Sequence, residues 1–171
     1  MKVVSYDYAK KAFGGGGTFV PGNAACQMTA PANKVEMRLN SVDSLPAGDL
    51  LMIADLELTQ PVQLADVGFK FACDESCLYA DIWTPDSTLE IWDGATSLVS
   101  QHVDPRAGTN RLMMAMHQKE IRVWLNGQLV ATQSAVRLHG AGTYELYMEN
   151  LNTTGSSVHM NLLQFAVYHL A

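Results

Sequence analysis

The sequence predicts an all-β fold, a sandwich of two antiparallel sheets. Short runs rich in β-branched, aromatic and aliphatic residues recur along the chain, and Gly, Pro, Asn and Asp separate them at close spacing. Helical periodicity is hard to find, so crossover helices are lacking and antiparallel pairing is the natural solution.

A first strand is expected at about 2–8. It leads into "AKKAFGGGGTFVPGNAA", whose four consecutive glycines make the backbone costly to fix without outside contacts. We therefore read 9–24 as a flexible Gly-rich arm or loop, with Lys10, Lys11, Phe13, Phe19 and Val20 as the groups that would dock on another subunit or a scaffold protein. Further strands are expected at about 33–41, 50–59, 62–72, 77–84, 88–93 and 96–103, with turns at Pro46-Ala47-Gly48, Gln60-Pro61, Pro85-Asp86 and Asp93-Gly94. The last five fall at about 109–117, 120–125, 128–134, 143–150 and 157–170.

The stretch "IRVWLNGQLVA", 121–131, is the clearest hairpin. With Asn126-Gly127 as a two-residue type I′ turn, Leu125 should face Gln128, Trp124 should face Leu129 and Val123 should face Val130. One face would then carry Ile121, Val123, Leu125 and Val130, and the other Arg122, Trp124, Leu129 and Ala131.

At 171 residues the chain is a single domain's length, enough to bury about 70% of its unfolded surface without disulfides or metals. Charged residues are only 16% and the hydrophobic set 48%, so the surface is rich in uncharged polar residues and suits contact with partners, its own subunits included, in a homo-oligomer. The net charge is -6 and the 11 Lys and Arg are scattered, which argues against nucleic acid. Cys26, Cys73 and Cys77 form no CxxC pair and suit free thiols in a reducing compartment. The opening "MKVVSYDYAKK" has the pattern of neither a signal peptide nor a membrane span.

"NRLMMAMHQKEIRVWLNGQLVATQS", then "GTYELYMEN" and "MNLLQFAVYHLA", resembles the C-terminal half of concanavalin A-like and laminin G-like jelly rolls. There a strand ending near a His precedes a hairpin of the form V-x-L-Y-V-D-G-x-L-V-A, and a strand of the form I-D-E-V-R-V-Y-N closes the sheet. Here Asn126 and Asn161 stand where Asp is usual. The resemblance covers about 109–170 and implies a jelly roll, a fold that hosts lectins, glucanases, adhesion modules and viral structural proteins.

The glucanase relatives carry paired acids on one strand face. The nearest matches are Asp55 with Glu57, which lack a third acid, and Glu90 with Asp93, whose spacing puts them on opposite faces. No nucleophile elbow is present, and His102, His117, His139, His159 and His169 lack metal-ligand spacing. The resemblance makes calcium a fair question, but Asp66, Asp74, Glu75, Asp81, Asp86, Asp93 and Asp104 form no dense oxygen-ligand loop and read as solvated turn acids. No cofactor is expected. Trp83, Trp92 and Trp124 are the candidates for a glycan platform or partner contact, although a sheet tryptophan is more often core. Met114 and Met116 share one strand face with Met113 on the other, which reads as core filling.

These readings lead to a non-enzymatic structural protein acting through protein contacts. A virion component is expected, a phage capsid decoration or tail-associated protein assembled in the host cytoplasm, without nucleic-acid or membrane binding. The alternative is a lectin-like module that attaches to a surface glycan.

Overall fold

In the computed structural model the residues described are 2–5, 12–15, 18–21, 26–31, 35–40, 45–46, 49–58, 65–73, 76–84, 86–134, 141–153 and 155–169. They form strands and connections, with no helix among them. In chain order the strands are β1 (Lys2–Ser5), β2 (Ala12–Gly15), β3 (Thr18–Pro21), β4 (Cys26–Ala30), β5 (Val35–Asn40), β6 (Leu45–Pro46), β7 (Leu50–Leu58) and β8 (Ala65–Cys73). There follow β9 (Ser76–Trp83), β10 (Thr88–Asp93), β11 (Thr96–His102), β12 (Thr109–His117), β13 (Glu120–Leu125), β14 (Gln128–Ser134), β15 (Ala141–Asn150) and β16 (Val158–His169).

The strands make two antiparallel sheets. The first runs β14-β13-β12-β7-β16-β4-β3, with β1 also on β16, and the second runs β11-β10-β9-β8-β15-β5-β2, with β6 also on β15. Neighbours such as β7 beside β16 and β8 beside β15 are far apart in sequence, so the chain passes repeatedly between the two sheets, as a jelly roll requires.

Period-two burial explains why these segments are strands. In β10 the residues alternate half-buried and buried through all six positions, and β12 and β13 alternate likewise. The buried half from the two sheets meets in one core, where Phe69 of the second sheet stacks on Phe165 of the first at 6.1 Å between ring centroids. Phe71 and Tyr144 add a tilted pair at 4.9 Å, and burial pushes the Tyr144 hydroxyl up to about 12. Met52, Met114, Met116, Met148 and Met160 are buried core side chains, while Met113 faces away, as expected from its strand parity. Burying each large side chain contributes about 1.5–3 kcal/mol.

Two expectations need correction. The first concerns 9–24, where Ala12–Gly15 pairs with β5 and Thr18–Pro21 pairs with β4. These four-residue stretches are edge strands of opposite sheets, because ladder hydrogen bonds supply the outside contacts that glycine backbone needs. Lys10 and Lys11 lie outside the described residues, as do the side chains of Phe13, Phe19 and Val20.

The second concerns the hairpin. Asn126 and Gly127 have φ of 53° and 83°, as a type I′ turn demands, and Leu125 faces Gln128 while Trp124 faces Leu129. Val123, however, pairs with Ala131, because a β-bulge shifts the register between Val123 and Trp124 and leaves Val130 as the extra residue. Parity reverses there, so Ala131 is the buried one of the two and Val130 is only half-buried.

Candidate functional site

On the second sheet the side chains that alternate with the core residues are polar and aromatic. The register sets them in rows. Asp81 lies between Glu90 and Gly68, and Gly68 in turn lies beside Tyr147. In the adjacent rows Tyr79 lies between Trp92 and Lys70, and Asp66 lies between Trp83 and Glu149. Asp66, Lys70, Tyr79, Asp81, Trp92, Gly94, Tyr147 and Glu149 together line a depression of 260 Å³.

Its floor is preorganised. The Tyr147 hydroxyl donates to Asp81 Oδ2, and both residues are buried. Adjacent strands are about 4.8 Å apart, so a contact from β15 to β9 must cross the whole width of β8. Gly68 allows this, since it holds the intervening position and carries no side chain. Tyr79 meets the Tyr147 ring edge-on at 6.1 Å, and the Lys70 ammonium sits 5.0 Å from the centre of the Tyr79 ring. The Trp92 indole N–H donates to Glu90 Oε2 at 2.9 Å, which fixes the ring on its strand.

The acids of this face are partly withdrawn from water. Burial is the main cause that raises Asp66 to about 7, with the Asp81, Glu149 and Glu90 carboxylates adding to it. Burial likewise lifts Asp81 to about 6, outweighing the Tyr147 hydrogen bond that favours its ionised form. Near neutral pH Asp66 can therefore be a donor or an acceptor of hydrogen bonds, and Asp81 is mostly an acceptor.

Of the three sequence-predicted tryptophans, Trp92 and Trp124 lie on different sheets. Trp92 lines the depression, and its cross-strand partners are Tyr79 and, past a bulge, Ser97. Trp83 takes the register position opposite Asp66 and Thr88, and its side chain is outside the described set. Trp124 is on the first sheet, paired in register with Met113 and Leu129. Asp66 and Asp81 entered the sequence reading only as turn acids, yet both are within strands; Lys70, Tyr79, Tyr147 and Glu149 were not singled out. Their signal was the polar half of the alternation: D-x-G-x-K at 66–70, Y-x-D at 79–81, E-x-W at 90–92 and Y-x-E at 147–149.

Other candidates fare differently. Asp55 accepts two bonds from the Arg111 guanidinium at 2.6 Å each, and Glu57 accepts from Asn161 at 3.3 Å, both on the first sheet. Those carboxylates are engaged in structure. His117 bonds Asp49 at 2.7 Å, His159 meets Thr29 at 3.0 Å, and His102 contacts the Asp86 carbonyl at 3.0 Å. Among the described residues no three His, Cys, Asp or Glu are arranged to hold a metal ion. A second depression of 260 Å³ opens between Gln101–Asp104 and the hairpin, and no Phe, Tyr or Trp lines it.

This architecture is the concanavalin A-like jelly roll. No protein-family model matches the chain, and no curated protein matches it in sequence. Solved structures do. The exoplasmic/lumenal domain of VIP36 in its Ca2+-bound form aligns with a TM-score of 0.74 at 9% identity, covering 99% of this chain and 90% of that one. The carbohydrate-binding module CBM66 from Bacillus subtilis aligns with a TM-score of 0.67 at 9% identity, covering 91% and 94%. The β-glucanase of Bacillus licheniformis gives 0.67 at 9% identity, covering 98% and 95%. At such identity the likeness establishes fold.

Proposed function

We propose that the chain is a glycan-binding module whose ligand lies across the outward face of the second sheet. The observation that carries this reading is the 260 Å³ depression in which Trp92, Tyr79 and Tyr147 stand among Asp66, Asp81, Glu149 and Lys70. Sugar recognition needs this combination: aromatic faces that cover the C–H side of a pyranose ring, and fixed acceptors and donors for its hydroxyls. Two fold neighbours, VIP36 in a mannose-bound form and CBM66, bind carbohydrate by name.

We read the site as binding rather than catalytic. Tyr147 holds Asp81 and Trp92 holds Glu90, so both acids nearest each other across β9 and β10 act as positioned acceptors. A virion component could carry such a module for attachment, but no feature of this face favours a virion over another carrier, so glycan binding is our conclusion.

A glycan array probed with the whole chain tests it. Binding to at least one glycan class is expected. Trp92→Ala should abolish that binding, and Leu129→Ser, at the second depression, should retain it. An array blank for the wild-type chain would overturn the reading. Cleavage of a bound oligosaccharide, followed by chromatography, would replace the binding module with an enzyme.

A further inference from the structure

The charge of the depression restricts which glycans can enter it. Its described lining places the carboxylates of Asp66, Asp81 and Glu149 against one ammonium, Lys70, and Glu90 borders the same face opposite Asp81. That ammonium already sits over the Tyr79 ring. On the next strand Glu36 and Arg38 take the register positions opposite Glu149 and Tyr147.

A ligand carboxylate or sulfate entering this field meets like charges in a partly desolvated site, which disfavours it. A ligand ammonium meets the opposite conditions. It would pair with carboxylates that now repel one another, and the Trp92 ring that lines the depression attracts a cation as well. The mutual repulsion is visible in Asp66, which Asp81, Glu149 and Glu90 all push upward in addition to burial.

Resting on the glycan-binding reading above, we infer that the depression selects sugars with free amino groups, a de-N-acetylated hexosamine chain, and rejects uronate- or sulfate-bearing chains.

Titration calorimetry of the whole chain with three tetramers tests this: glucosamine, N-acetylglucosamine and a uronate. At pH 6 the glucosamine tetramer should bind about tenfold or more tighter than its N-acetylated counterpart, a difference of at least about 1.4 kcal/mol. The advantage should shrink as salt rises from about 0.05 to 0.5 M, because it is electrostatic. The uronate tetramer should give no heat. Glu149→Gln, checked for an intact melting transition, should narrow the preference for the amine. Equal or tighter binding of the N-acetylated or uronate tetramer would overturn the inference and leave glycan binding standing. So would silence of all three alongside a hit elsewhere on the array. Silence of all three and of the array would overturn both.

Discussion

Tyr147 reaches Asp81 across the position of Gly68, a contact between strands that are not neighbours. A Cβ built on Gly68 would lie 2.2 Å from the Ala80 carbonyl oxygen and 2.6 Å from the Asp81 Cβ. Backbone cannot yield that much space cheaply. Gly68→Ala should destabilise the fold by about 1–3 kcal/mol and weaken glycan binding together. Denaturant melts and a binding titration on the same sample check this; an unchanged midpoint would show that the strands can separate there at no cost.

The raised carboxyls set a pH dependence of stability. Asp66 is held at about 7 in the fold against 3.8 ordinarily, so between those values the folded chain binds more protons than the unfolded chain. Its contribution is therefore full below about pH 4 and is lost as pH rises through 7. Asp81, held at about 6, adds a loss of the same sign at slightly lower pH. Asp66→Asn should flatten the decline between pH 5 and 8, read as melting temperature against pH. A wild-type curve that rises across that window would contradict the assignment.

Gly127 is constrained by its backbone alone. Its φ is 83° and nothing lies within 4 Å of a Cβ built there, so there is room for a side chain but not the conformation for one. Gly127→Val should cost about 1–3 kcal/mol through strain. Were the melting midpoint to stay put, the turn in solution would be of another type.

Asn126, where the jelly-roll pattern has Asp, is the acceptor for the Arg111 N–H at 3.0 Å and donates to Asn110 Oδ1 at 2.9 Å. Asn110 is buried, its Oδ1 also accepts the Arg106 N–H at 2.7 Å, and its own amide donates to the Arg106 and Gly108 carbonyls. Asn126→Asp would bring a carboxylate oxygen against an amide oxygen that cannot rotate to answer it. A loss of about 1–3 kcal/mol at neutral pH is expected, shrinking below the carboxylate range, where the protonated acid can donate. A loss that does not change with pH would point to backbone strain instead.

Much of the fold was legible because its strands are regular. The runs at 88–93, 109–117, 120–125 and 128–134 match the observed strands to the residue, since each lies between unambiguous turns and the first three carry period-two patterning. The strands missed, Ala12–Gly15, Thr18–Pro21, Cys26–Ala30 and Leu45–Pro46, are short, and three of them contain Gly or Pro. Edge pairing makes them strands, not local propensity. The site was half legible. Trp92 was named, but Asp66 and Asp81 gain their meaning only when β8 is placed between β9 and β15, and β15 comes some seventy residues later in the chain.

The pairing of β1 with β16 brings Lys2 opposite His169. Tension applied through the two ends would therefore load this ladder as a zipper, rupturing its hydrogen bonds one after another instead of all at once. The first piece to peel away would be β1, a strand of the first sheet, so the ladders of the second sheet would stay paired while that zipper opens.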